Sequence, residues 1–278
     1  MEADNTTRFS DRPISRVFAQ TRLNEKGFTM LSPHCHPYFE LFYVGGGACS
    51  FFIENNVFEL GEGDFMLIPP GVFHYTRYTK SSCLRSNIFF RMDDIDEKVA
   101  AVMPEGANFF DDTRIFQAPE AFGEQFNGLI ARMVREQRID DVRSGIMERV
   151  LLQELFLLCS RECRFLDGLP EQIHTTDSPI VRAAQFITDH YADDITIPDI
   201  AAAAGYSPNY LSRKFREAAG VGLHEYLSFI RLQRAALELV STDDTITDIA
   251  LRCGFSDGNY FKDAFKKKYG VTPREYRK

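Results

Sequence analysis

The chain has 278 residues, 44% of them hydrophobic and 13% aromatic, with 25 Phe, 11 Tyr, no Trp and a net charge of −8. That length accommodates two domains with packed cores, and the composition excludes a disordered or fibrous chain. No run approaches the ~20 apolar residues of a membrane span. The polar opening MEADNTTRFSDRPISRV lacks a signal-peptide core, so no membrane association and a cytoplasmic location are expected. The six Cys, at 35, 49, 83, 159, 163 and 253, form no C-x-x-C pair and fit a reducing compartment.

The first ~115 residues read as short strands separated by turns: Ile14–Ala19, Phe28–Leu31, Phe39–Val44, Ala48–Ile53, Val57–Leu60, Asp64–Ile68, Phe73–Tyr78 and Leu84–Phe90. Glu54-Asn55-Asn56-Val57 is a hairpin signal, because Asn tolerates the positive φ of a tight turn. Gly45-Gly46-Gly47 and Gly61-Glu62-Gly63-Asp64 punctuate the others. About eight strands at this spacing predict a closed sandwich or barrel.

Within these strands lies His34-x-His36-x-x-x-Glu40, followed by Gly63-x(5)-Pro69-x-Gly71-x-x-His74. Alternation puts His34 and His36 on one inward face of an extended segment, where Glu40 can join them. His74 arrives from a partner strand after the Pro-Gly turn. Imidazoles plus a carboxylate suit Zn, Ni, Fe or Mn, or form a polar effector pocket without metal. Over about forty residues the two segments resemble both motifs of the cupin superfamily, with all four customary metal positions filled. The Asn usual after the second motif is absent, and Tyr78 stands there.

From Pro119 the periodicity turns helical. Phe122, Phe126, Leu129, Ile130 and Met133 mark one helix up to Gln137. A second starts near Asp141 and carries Ile146, Val150, Leu151, Leu155, Leu158 and Cys159. Its stretch Leu151–Leu158 is too apolar all round for a lone surface helix, so it must be covered by the barrel or by a twin across a two-fold axis. Asp167–Ser178, with its Gly, Pro and Thr residues, reads as a linker.

The last hundred residues contain one small pattern twice. Ile200-Ala201-x-x-x-Gly205 is followed by Ser207-Pro208-Asn209-Tyr210-Leu211-x-x-x-Phe215, then Gly220 and Tyr226. Ile249-Ala250-x-x-x-Gly254 is followed by Asn259-Tyr260-Phe261-x-x-x-Phe265, then Gly270 and Tyr276. Each copy reads as a helix-turn-helix. The Gly ends one helix, Ser207 (Ser256 or Asp257 in the second copy) caps the next, and Leu211 and Phe215 (Phe261 and Phe265) at i, i+4 share one buried face. Asn209, Ser212, Arg213 and Arg216 then face outward, a polar and basic surface able to enter a major groove.

Residues ~180–278 resemble the DNA-binding domain of the AraC/XylS family of transcription regulators, including the closing Gly270-Val271-Thr272-Pro273-Arg274-Glu275-Tyr276-Arg277. The resemblance implies seven helices, a long one from about Leu223 to Val240 joining two reading heads. It also implies base contacts from Asn209, Ser212 and Arg213 in the first head, and from Asn259, Lys262 and Asp263 in the second. Asp263 departs from the basic or small residue often found there. Arg216 and Lys266 are expected to add phosphate contacts. In this family the helices before the linker make a homodimer, and the effector is a small polar compound such as a sugar.

Charge agrees once counted by halves. Residues 1–178 hold 18 Lys+Arg against 27 Asp+Glu, and residues 179–278 hold 14 against 13. The second half therefore carries +1, with its basic residues clustered late, which suits phosphate contact.

The expected organisation is multidomain α+β. A cupin-type β-barrel or jelly-roll sensing domain (1–115) leads into a helical dimerisation segment (116–166) and a linker (167–178). An all-α double helix-turn-helix domain (179–278) follows. The expected function is ligand-responsive, sequence-specific binding of double-stranded DNA. The alternative is a cupin metalloenzyme, a dioxygenase or sugar isomerase, fused to a DNA-binding domain. No catalytic residues are assigned, because no acid–base pair or nucleophile stands out beyond His34, His36, Glu40 and His74.

Overall fold

The computed structural model describes residues 16–28, 34–53, 55–78, 80–166 and 179–277, in two compact units, 1–174 and 175–278. The first unit contains β1 (Phe18–Asn24), β2 (Phe39–Ile53), β3 (Asn56–Gly61), β4 (Asp64–Ile68), β5 (His74–Arg77), β6 (Cys83–Phe90), β7 (Arg114–Gln117) and β8 (Arg164–Phe165). Its helices are α1 (Glu97–Ala101), α2 (Gly123–Ile139) and α3 (Ser144–Glu162). The strands pair antiparallel in the order β1-β6-β2-β4-β7-β8, while the far half of β2 pairs with β3 and β5.

β2 is the hub, and its side-chain alternation builds two cores. Phe42 and Val44 point between the layers, where they meet Phe51, Ile53, Phe58, Leu60, Met66 and Ile68. Leu41 and Tyr43 point the other way, into a cluster with Phe65, Leu67, Phe126, Leu151, Leu155 and Phe156. The first half of β2 is thus buried on both faces, which explains its nearly unbroken apolar run.

Three sequence expectations change here. Gly45–Gly47 do not separate two strands, because β2 runs through them with a register shift between Val44 and Gly46. Gly47 has φ 77°, and a Cβ there would lie 2.0 Å from the Ser82 carbonyl oxygen, so the strand bends onto its partner only with Gly. Second, the barrel is not closed: among the described residues no ladder joins β1 to β8 or β3 to β5. The two layers share β2 instead. Third, residues 116–166 are no separate segment, since β7 and β8 extend the sheet and α2 and α3 cover its outer face.

The first strand begins at Phe18 and continues to Asn24, later than expected. Residues 14 and 15, residues 29–31 of the expected second strand, Glu54 and the 167–178 linker lie outside the described residues. Asn55 takes the expected positive φ of 66°.

In the second unit, residues 179–277 form the seven helices that the resemblance implied. They are α4 (Pro179–Asp189), α5 (Ile197–Ala204), α6 (Pro208–Ala219), α7 (Leu223–Ser241), α8 (Ile246–Arg252), α9 (Gly258–Tyr269) and α10 (Pro273–Tyr276). Thr196 and Asp199 cap α5 reciprocally, and Gly205 ends it at φ 78°. Pro208 starts α6, but Ser207 makes no side-chain cap bond there. In the second copy the cap is Asp257, which accepts from the Asn259 and Tyr260 amides. Leu211 and Phe215, and likewise Phe261 and Phe265, are fully buried. Truncating one such Phe to Ala costs ~3–5 kcal/mol.

Candidate effector site and nucleic-acid interface

The strand registers explain how four distant residues meet. Main-chain hydrogen bonds join His34 and His74 in both directions, at 3.1 and 3.2 Å, and the Gly71 amide donates to the His36 carbonyl at 2.8 Å. His74 opens β5 opposite Ile53, and Glu40 in β2 lies between Ile68 and Phe89. One potential ligand atom from each of His34, His36, Glu40 and His74 then lies within 4.8 Å of all the others. The sequence-derived set is therefore a single cluster.

Its protonation pattern follows from the neighbours. His36 Nδ1 sits 2.8 Å from the Tyr38 carbonyl, and His74 Nδ1 3.0 Å from the Val72 carbonyl. A carbonyl only accepts, so each Nδ1 carries hydrogen and each ring turns Nε2 toward Glu40. His36 Nε2 is 2.9 Å from Glu40 Oε2 and His74 Nε2 is 3.3 Å from it. His74 Nε2 and His34 Nδ1 are buried with no hydrogen-bond partner.

Burial alone would raise the Glu40 carboxyl. The hydrogen bond from His36, the 3.3 Å contact with His74 Nε2 and the charge of both rings outweigh it and hold the group well below the usual carboxylate range. Burial, then the charge of His74, keeps His34 well below the ordinary histidine value.

Residues beyond the expected set complete the site. Asn87 donates its amide to Glu40, and Arg85 donates to Asn87 and, at 2.8 Å, to Asn24. Arg85 is only 3% exposed. Thr76, Tyr78 and Phe89 also line the cavity, which is small. It has room for about one water or an ion, and not for a sugar. The overlooked signal was periodicity: Arg85, Asn87 and Phe89 alternate on one face of β6, and a charged residue inside an apolar strand marks a buried polar site.

The second unit holds the other expected set. Asn209, Arg213 and Arg216 on α6 are exposed and Ser212 is half-buried; on α9, Asn259, Lys262, Asp263 and Lys266 are exposed. Tyr206 and Tyr210 stack at 5.0 Å, and the Arg213 guanidinium lies 5.9 Å from the Tyr210 ring. An arginine leaning on an aromatic face at a helix's outer side suits the bidentate recognition that a guanine edge requires.

Comparison with known proteins bears on both units. Residues 20–154 match a family model described as an AraC-like ligand binding domain, and residues 200–278 one described as a helix-turn-helix domain. The chain is 25% identical over 278 residues to the HTH-type transcriptional activator RhaS of Klebsiella pneumoniae, covering 98% of this chain and 96% of that protein. Among solved structures, the C-terminal domain of the response regulator AraT from Geobacillus stearothermophilus is 40% identical. It covers 34% of this chain and 80% of that one, with a TM-score of 0.33. A transcriptional regulator with an AraC-type DNA-binding domain from Chromobacterium violaceum is 30% identical, covering 37% and 91%, with a TM-score of 0.35.

Proposed function

Because the chain belongs to the AraC-type transcription regulators, with a ligand-binding domain ahead of a helix-turn-helix domain, we propose specific roles for its residues. Helices α6 and α9 each enter a major groove on one side of the duplex, with centres about one helical turn, ~34 Å, apart. Asn209, Ser212 and Arg213 read bases from α6, and Asn259 and Lys262 from α9. Arg216 and Lys266 hold phosphates. The observation carrying this reading is the duplication itself: two helices, each anchored by a buried aromatic at matched positions, with polar outer surfaces left exposed.

In the first unit the proposed occupant of the histidine cluster is a divalent transition metal such as Zn, Ni, Fe or Mn. The donor set fits: three imidazoles and a carboxylate converge, and two of the imidazole nitrogens are buried without a partner. The Tyr38 and Val72 carbonyls fix two rings in the ligating tautomer, as outer-shell partners do in metal sites. Such an ion would tie the segment before β2 to β5. An organic effector of the small polar class, a sugar included, needs more room than this cavity has. It enters only if the His34 segment moves.

Binding in the first unit changes operator affinity only through unequal affinity for two arrangements of the chain. The relatives are named as regulators, which favours regulation over catalysis. The chain then acts where DNA is, in the cytoplasm. α3 leaves Ile146, Val150 and Leu157 exposed at 67%, 52% and 42%, an apolar stripe for a second copy of the chain. The functional test is operator binding by full-length protein with and without Zn²⁺ or Ni²⁺. An affinity that changes with metal supports the sensing role, and an unchanged affinity removes it.

A further inference from the structure

The two outward helices match in length and layout but are opposite in charge at two positions, one of which, Glu217 against Lys267, puts the acid on α6. With Asn209 set against Asn259, Tyr210 against Tyr260 and Phe215 against Phe265, Arg213 of α6 coincides with Asp263 of α9. Each follows a fully buried side chain, Leu211 or Phe261, by two residues, and each is exposed. They leave their helices on the same side.

Asp263 has no structural task in α9. The cap is Asp257, and Asp263 lies past the first turn, where the helix dipole favours a carboxylate. Asp is also a poor residue for a helix interior. Among the described residues Asp263 forms no ion pair, although Lys266 and Lys267 follow it by three and four positions. The acids around the first head do pair: Glu217 with Lys214 at 2.9 Å and Glu225 with Arg216 at 3.5 Å.

Near a duplex the phosphates repel this carboxylate, so it adds nothing to general affinity. What it can gain is a hydrogen-bond donor on a base edge. Guanine and thymine offer only acceptors in the major groove, and adenine places the N7 acceptor beside its amine. Cytosine alone presents an amine with no acceptor of its own beside it.

We propose that Asp263 is a specificity-determining residue that accepts a hydrogen bond from the N4 amine of a cytosine, opposite in demand to the guanine that Arg213 takes. The inference rests on the two-head reading proposed above. Its consequence is an asymmetric site for one protomer: matched positions of the two heads require different bases, so the protomer binds in one direction only.

The test is selection of binding sites from random DNA, followed by sequencing, with full-length wild type, Asp263→Ala and Asp263→Asn. Wild type should enrich a two-part site with cytosine at one pair of the second part. Asp263→Ala should lower discrimination at that pair about tenfold and leave the first part unchanged. Asp263→Asn should move the preference to adenine, whose N6 and N7 match a side-chain amide. Thermal melting checks that these exposed substitutions leave the fold intact. If Asp263→Ala returns the wild-type preferences, or merely binds all sequences more tightly, the assignment is overturned while the two-part site still stands. A wild type that enriches no two-part site removes both.

Discussion

Nε2 of His36 lies 2.9 Å from Oε2 of Glu40, while the other nitrogen of the same ring is already committed to the Tyr38 carbonyl. A proton or a metal must occupy that contact, because two lone pairs facing each other at this distance repel. Purified protein stripped with a chelator should therefore regain stability with Zn²⁺ or Ni²⁺, by ~2.7 kcal/mol at a hundredfold excess over Kd. His74→Ala and Glu40→Ala should lose that gain. A thermal shift that is the same in wild type and both variants contradicts the metal assignment.

Glu148 gives a second, independent prediction. It is fully buried on α3, and neither carboxylate oxygen accepts a hydrogen bond. Burial pushes its carboxyl from 4.5 up to about 7, with Arg16 at 3.4 Å opposing and Glu136, Asp140 and Asp94 adding to the rise. A folded pKa raised above the unfolded one contributes stability fully present below the unfolded value and lost as pH climbs through the folded one. Wild type should lose stability from this group between pH 4.5 and about 7. Glu148→Gln should remove that part of the decline in unfolding curves taken across the window. An identical slope in the two proteins contradicts it.

The exposed stripe on α3 predicts an assembly phenotype. Val150→Asp places a charge where a twin helix would pack, so the proposed dimer should give way to monomer in sedimentation or light scattering. A surface substitution of this kind changes monomer stability by only about 0.5 kcal/mol. An unchanged assembly state would move the interface elsewhere.

Arg213→Ala should cost ~1–3 kcal/mol at one base pair and relax preference there, whereas Lys266→Ala should weaken binding evenly and lower the salt slope by about one. Equilibrium binding on single-substituted operators separates the two. Equal losses on every sequence for Arg213→Ala would make it a phosphate contact.

Much of this was legible beforehand because the strongest signals were local. Gly205 and Gly270, the buried apolar pairs at i, i+4 and the alternation of His34 with His36 each follow from a short-range geometric rule. The short β7 and β8 strands escaped, since Arg114–Gln117 and Arg164–Phe165 owe their strand state to partners far away in sequence. Barrel closure was overestimated for a similar reason: strand count does not say that β2 serves two layers. The alternation of Arg85 with Asn87 marks a polar strand face, but only the register of β6 against β2 shows that this face lies beside Glu40.

The central claim is that one protomer presents two groove-reading surfaces, and hydroxyl-radical footprinting on a selected site tests it most directly. Two protected patches on one side of the duplex, their centres about 10 base pairs apart, are the expected result, with Arg213→Ala weakening one patch and Lys262→Ala the other. A single patch, unaffected by the α9 substitution, would contradict it.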